Sequence, residues 1–134
     1  MTMKKINIKI LIVCLCSSVS LFIINGEENK TDKIAIASGG KTTDSQVEFQ
    51  GGRAQWLIFF NDKGELIETL ENPFYQDRSQ AGVKCAELLA DKKITIFVAG
   101  NIGNKMVEAL EDFEIVFVSF TGTVKEAIAH VLEK

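Results

Sequence analysis

"FVAGNIGNKMVEAL", residues 97–110, starts as a charge-free apolar run, breaks at Gly100, and resumes beyond Gly103 with apolar residues at helical spacing. A buried strand that hands over to a helix through a glycine-punctuated loop is a building unit of α/β domains. Two further stretches, "ASGGKT" (37–42) and "SFTGTVKEA" (119–127), read as the same construction.

The segments around them complete the pattern. "KIAIAS" (33–38) is a short apolar strand. "AQWLIFFND" (54–62) is apolar on both alternating faces, which predicts a central strand with Trp56 in the core. "DKGEL" (62–66) is a turn, and "LIETLE" (66–71) alternates as a strand nearer the edge does until Asn72-Pro73 stops it. "SQAGVKCAELLADKK" (79–93) reads as a helix opened by Ser79, with Ala81, Cys85, Leu88 and Leu89 on one stripe. "ITIFVAG" (94–100) and "EIVFVSF" (114–120) are continuous apolar runs of the kind found in parallel sheets covered on both faces. Between them, Met106, Ala109, Leu110 and Phe113 mark a helix, and Val124, Ala127, Ile128, Val131 and Leu132 mark the last one, which begins near Thr123. The order β-β-β-α-β-α-β-α predicts a three-layer α/β domain with a mixed sheet.

Composition sets the class. The chain has 134 residues, 46% hydrophobic and 25% charged, with one proline, which fits one globular domain plus a tail. A net charge of −3 without a basic stripe argues against nucleic acid as a partner, because phosphate neutralisation supplies most of that binding energy.

Residues 1–26 are a different material. "MTMKKINIK" carries three lysines and no acid, "ILIVCLCSSVSLFIING" (10–26) carries no charge, and "EENKTDK" turns polar. A basic start, an apolar run and a polar exit predict an export signal. A run of about 17 residues is also marginal as an anchor across a ~30 Å hydrocarbon core. A cleaved signal peptide and an uncleaved membrane anchor therefore both stand. Lysines before the run and Glu27 and Glu28 after it place the domain outside the cytoplasm in either case. A cytoplasmic chain with this segment buried is the disfavoured alternative. Residues 27–32 are read as a linker and 33–134 as the domain. Cys14 and Cys16 lie inside the run, and neither follows the small residue of a lipoprotein signal. Cys85 is then alone, so the domain forms no internal disulfide and no four-cysteine cluster site.

In open α/β sheets the ligand crevice lies at the carboxyl ends of the parallel strands. Three loops are expected there, carrying Gly39, Gly40 and Lys41, then Gly100, Asn101 and Gly103, then Thr121, Gly122 and Thr123. An antiparallel second strand would bring "GGRA" (51–54), with Arg53, back to the same edge. Glycines let backbone N–H groups approach a ligand. Helices starting near Asn104 and Thr123 would aim N–H groups and a positive dipole at the crevice, which favours an anion. Lys41 and Arg53 add positive charge, with Arg53 alternatively an ion-pair partner for Asp44 or Glu48. The connection from 39 to 53 is longer than geometry needs, as binding loops are. Glycines that merely make tight turns are the plainer alternative.

"KIAIASGG", "DSQV…GGRAQWLIF", "ENP", "AGVKCAELL", "ITIFVAGNIGNKMVEAL" and "EIVFVSFTGTVKEAI" occur in that order. As an ordered set they resemble the dinitrogenase iron–molybdenum cofactor biosynthesis family, the nitrogenase accessory factor domain, over residues 33–133. The resemblance implies a ribonuclease H-like motif, a five-stranded mixed sheet of order 3-2-1-4-5 with strand 2 antiparallel. It also implies a non-catalytic carrier of iron–molybdenum cofactor or iron–sulfur clusters, with an anionic metal cluster or small anion as ligand and a protein as partner. Family members often carry a histidine before a Phe-Gly-Arg-Ala segment. This chain has Gln50-Gly51-Gly52-Arg53-Ala54, which puts Gln50 at that position with an amide in place of the imidazole. A second loop, commonly Gly-Pro-Asn-Ala, is Gly103-Asn104-Lys105-Met106 here.

Other chemistry is poorly served. Cys85 lies on an apolar stripe and reads as core, and His130 reads as a surface residue in the last turn of its helix. No His/Cys pair has metal-ligand spacing and no Ser-His-Asp arrangement can be built, so neither a metal ligand nor a catalytic residue is assigned. Strand one and the interiors of strands four and five lack the carboxylates of a metal-dependent nuclease, and in the long loop only Asp44 and Glu48 could reach. An exported interaction module of the same fold, with a decayed ligand site, is the alternative to a carrier. A chain beginning at Asn29 should be soluble and melt in one cooperative thermal transition, and failure of that chain to fold would show that residues 1–26 belong to the domain.

Overall fold

The computed structural model describes residues 31–77 and 79–133. The export-signal or anchor reading of residues 1–26, and most of the linker, lie outside the described residues. Among the described residues no helix is long and apolar enough to cross a membrane.

In chain order the elements are β1 (Lys33–Ser38), a 3₁₀ turn (Gly51–Arg53), β2 (Trp56–Asn61), β3 (Leu66–Glu71), α1 (Ala81–Asp91), β4 (Ile96–Ala99), α2 (Asn104–Asp112), β5 (Val116–Ser119) and α3 (Val124–Leu132). The five strands form one sheet in the order β3-β2-β1-β4-β5. β2 is antiparallel to both neighbours, while β1, β4 and β5 run parallel. This is the mixed 3-2-1-4-5 sheet that the family resemblance implies.

Alternation along the strands builds two apolar layers. Ala35, Ala37, Leu57, Phe59 and Phe97 face α1 and α2 and pack with Cys85, Leu89, Met106 and Leu110. Ile34, Ile36, Ile58, Phe60 and Val98 face α3 and pack with Val124, Ala127 and Ile128. β1 thus presents alanines to the face carrying two helices and isoleucines to the face carrying one, so helix spacing is matched by side-chain volume.

The outer positions depart from the sequence reading. β5 is an edge strand with Val116 59% exposed, so its apolar run is not covered on both faces. Phe113 falls one residue beyond α2 as its C-cap and is exposed, not on the buried stripe. Trp56 is only half-buried, with the Lys41 ammonium 5.2 Å from its ring centroid. Ser79 does not open α1, because Gln80 takes the N-cap position in a left-handed conformation (φ 61°). His130 is half-buried and packs on Phe120, with ring centroids 5.0 Å apart.

Cys85 is fully buried, and desolvation by burial pushes its thiol up to about 12. A raised folded-state pKa means stability that is complete below the unfolded value of about 9 and is lost as pH rises through about 12. Replacing Cys85 by Ala should cost no more than about 2 kcal/mol by thermal melting and should flatten this alkaline decline. Cys85→Asp should lower the melting temperature far more, since a buried unpaired carboxyl costs several kcal/mol.

Candidate functional site

The connection between β1 and β2 returns across the carboxyl end of β4. Gly100 N donates to Glu48 O (3.0 Å), Asn101 N to Phe49 O (2.6 Å) and Gly51 N to Asn101 O (2.9 Å). Gln50 and Asn101 thereby form a parallel bridge. A Cβ at Gly100 would lie 2.7 Å from Phe49 Cα, so this close approach needs glycine. The 3₁₀ turn that follows is held from beneath by Asn72, which is fully buried. Its Nδ2 donates to Ala54 O (2.9 Å) and Gly52 O (3.4 Å), and its Oδ1 accepts from Phe74 N (3.0 Å).

The turn then meets the first residues of α1. A Cβ at Gly52 would stand 2.8 Å from Gly82 Cα, so two glycines let turn and helix touch backbone to backbone. Between this pair and the 101–105 segment lies a cleft of about 470 Å³. The N-termini of α1 and α2 both open onto it, and their N-cap residues, Gln80 and Gly103, supply no side-chain cap. First-turn N–H groups without caps, at the positive ends of two helix dipoles, favour a negative ligand. Lys105 and Arg53 line the same space, and among the described residues no acid does. Arg53 Nη1 donates to the Asp77 carbonyl, and the Asp77 carboxylate is engaged by Lys84 at 2.9 Å. Met106 and Ile102 supply apolar surface, and Phe49, 62% exposed, stands at the rim.

Of the residues predicted for the site, Gln50, Arg53, Asn101 and Gly103 meet in this cleft. Gly100 underlies it as a packing position. Gly39, Gly40, Lys41, Thr121, Gly122 and Thr123 do not line it. Their region is closed by the protein itself. Val124 N donates to Ser45 O (2.9 Å), Lys125 N to Thr43 O (2.9 Å) and Val47 N to Gly122 O (2.8 Å). Thr123 and Glu126 complete a capping box, so the α3 N-terminus expected to face a ligand is filled by residues 42–47 and its own cap. Asp44 lies 3.5 Å from Lys125, on that side of the molecule and not beside Arg53.

The sequence reading missed the α1 N-terminus (Gln80 to Val83), Gly52 and Lys105 as walls of the cleft. The adjacent small residues Ala81 and Gly82 at the first turn of α1 were the available signal.

The chain folds as a three-layer α/β domain with a cationic, donor-rich cleft at its strand carboxyl ends. The chain belongs to the dinitrogenase iron-molybdenum cofactor family, whose model matches residues 32–134. It is similar to the structure of a putative NifB protein from Thermotoga, with 31% identity, TM-score 0.67, and coverage of 76% of this chain and 88% of that one. It shares its fold with the apo form of the orange protein from Desulfovibrio gigas, with 24% identity, TM-score 0.71, and coverage of 76% and 88%. No curated protein matches it.

Asn72→Ala should leave the Ala54 carbonyl buried and unpaired, at about 1–3 kcal/mol. For a domain of this size that lowers the melting temperature by roughly 4–8 °C per kcal/mol, measurable by calorimetry.

Proposed function

We propose that this accessory domain carries an anionic metal cluster, of the iron–molybdenum or iron–sulfur type, in the cleft between the 3₁₀ turn and the N-termini of α1 and α2. The observation that carries the reading is the convergence of two uncapped helix N-termini with Arg53 and Lys105 on one acid-free space. Membership of a family described by the iron–molybdenum cofactor supports this class of cargo.

The donor set fits one kind of cargo. The cleft is lined by backbone N–H groups, side-chain amides, a guanidinium and an ammonium, with no Cys, His, Asp or Glu. Among the described residues no group of three such ligands comes together anywhere. Cys85, buried and protonated, does not reach the cleft. Such a surface suits the outer sulfides or oxyanions of a cluster that arrives with its ligands complete. It forms hydrogen bonds and charge contacts and no coordinate bonds. Met106 and Ile102 exclude water from one side of the cargo and so strengthen the charge contacts on the other. In this reading the domain is non-catalytic, and its task is to hold and surrender.

The pattern of residues 1–26 adds export or membrane anchoring as a further part of the reading, resting on sequence alone. The lack of coordinating side chains in the cleft favours the second reading, an interaction module whose ligand site has decayed.

Anaerobic titration with a synthetic iron–sulfur cluster, followed by visible absorbance, separates the two. A carrier should bind one equivalent weakly and lose it as salt rises. Lys105→Glu and Arg53→Glu should each weaken binding about tenfold or more at low salt by reversing local charge. Gln50→His should improve retention by supplying a ligand to iron. Saturable binding that both charge reversals leave unchanged would place the cargo elsewhere, and no binding at all would leave the interaction module.

A further inference from the structure

The two edges of the sheet are treated differently. β3 carries Glu68 and Glu71, with Glu65 just before it, and its pairing with β2 is broken by a bulge at Phe59/Phe60. Charges and bulges are devices that keep sheet edges from pairing with other chains. β5, at the opposite edge, has neither. Its register with β4 is continuous, and no residue from Ile115 to Thr123 is charged.

Backbone parity identifies the open groups of β5. Val116 N donates to Thr95 O (2.9 Å) and Phe120 N to Ala99 O (3.0 Å), so Val116, Val118 and Phe120 turn their amides toward β4. Phe117 and Ser119, the alternate residues, turn N–H and C=O away from the sheet. We infer that this edge pairs antiparallel with the β5 edge of a second copy of the chain, about a twofold axis at Val118. In that register Phe117 of one copy and Ser119 of the other exchange both backbone hydrogen bonds, and the axis repeats the exchange. Val118 faces its own counterpart. Val116, 59% exposed, is covered by Phe120 of the second copy, on the α3 side of the joined sheet.

The occupant is a second copy because the strand is complementary to itself. Its open groups lie symmetrically about Val118, with no charge among them to repel a twin. Glu111, Asp112 and Glu114 precede only one end of the strand. Antiparallel pairing therefore holds the acids of the two copies at opposite ends of the contact. The same operation at β3 would bring glutamates of the two copies together. The pairing does not involve the cleft and stands apart from the carrier reading.

The test uses the full chain with Cys14→Ser and Cys16→Ser, in density-matched detergent. An edge contact this short belongs with weak interfaces. By sedimentation equilibrium the average mass should rise toward twice that of one chain between about 1 μM and about 1 mM. Ser119→Pro removes an outward N–H at a position where edge strands accept proline, and should stay monomeric with an unchanged circular dichroism spectrum. Val118→Cys should cross-link at least about tenfold faster than Val116→Cys under mild oxidation. Paired residues at the axis have Cα atoms ~4.5 Å apart, within the ~4.4–6.8 Å disulfide range, whereas two copies of residue 116 lie about 13 Å apart. If Ser119→Pro fails to fold, the ratio of cross-linking rates decides alone. A mass that stays constant, or cross-linking that favours Val116→Cys or neither variant, overturns the inference.

Discussion

The site depends on a short run of backbone pairing in which residues 48–51 lie beside Gly100 and Asn101 at the carboxyl end of β4. Without that pairing the β1–β2 connection would be a long surface loop with no fixed relation to α2. With it, the 3₁₀ turn is set against α1 through Gly52 and Gly82, and the walls of the cleft are fixed by main chain and not by side-chain choice. The constraint is steric and polar together. Each amide must find a partner, and only glycine at 100 lets the two segments approach closely enough to provide it.

Helix N-termini follow opposite rules on the two sides of the sheet. At α3 the donors are consumed internally, by the carbonyls of Thr43 and Ser45 and by the Thr123–Glu126 capping box. At α1 and α2 no side chain caps the first turn. Since a helix gains on the order of 1 kcal/mol from a good N-cap, leaving two helices uncapped around one space forgoes stability where a ligand would supply the missing contacts. The mixed chemistry of the cleft, cationic at Arg53 and Lys105 and apolar at Met106, is consistent with the same division.

Much of the fold was legible in the sequence. The strands announced themselves as apolar runs, and the family resemblance supplied the strand order that periodicity cannot. The misplaced details lie at positions where tertiary packing overrides local pattern. Phe113 has helical spacing but falls just past the end of α2, and β5 is apolar throughout yet ends at a sheet edge. The residues lining the candidate cleft were half legible. Glycine loops at strand ends pointed to Gln50, Arg53, Asn101 and Gly103, but the same rule applied to Gly39 through Lys41 and to Thr121 through Thr123 gave a region that the 42–47 segment fills. The Thr-x-x-Glu spacing at 123–126 was the readable warning, since a capping box marks a helix start that needs no outside anion. The α1 N-terminus could not be placed from sequence, because its position rests on a contact between Gly52 and Gly82, thirty residues apart.

The state of Cys85 bears on how a cargo would leave. A cysteine can take hold of a cluster's iron only as an accessible thiolate. The single cysteine of this domain is sealed in the layer between sheet and helices, and its thiol remains protonated through the physiological range. A cluster held in the cleft, as proposed, would therefore find no ligand in Cys85. Unloading would then turn on charge contacts and on the salt around them, with no thiol of the domain taking part.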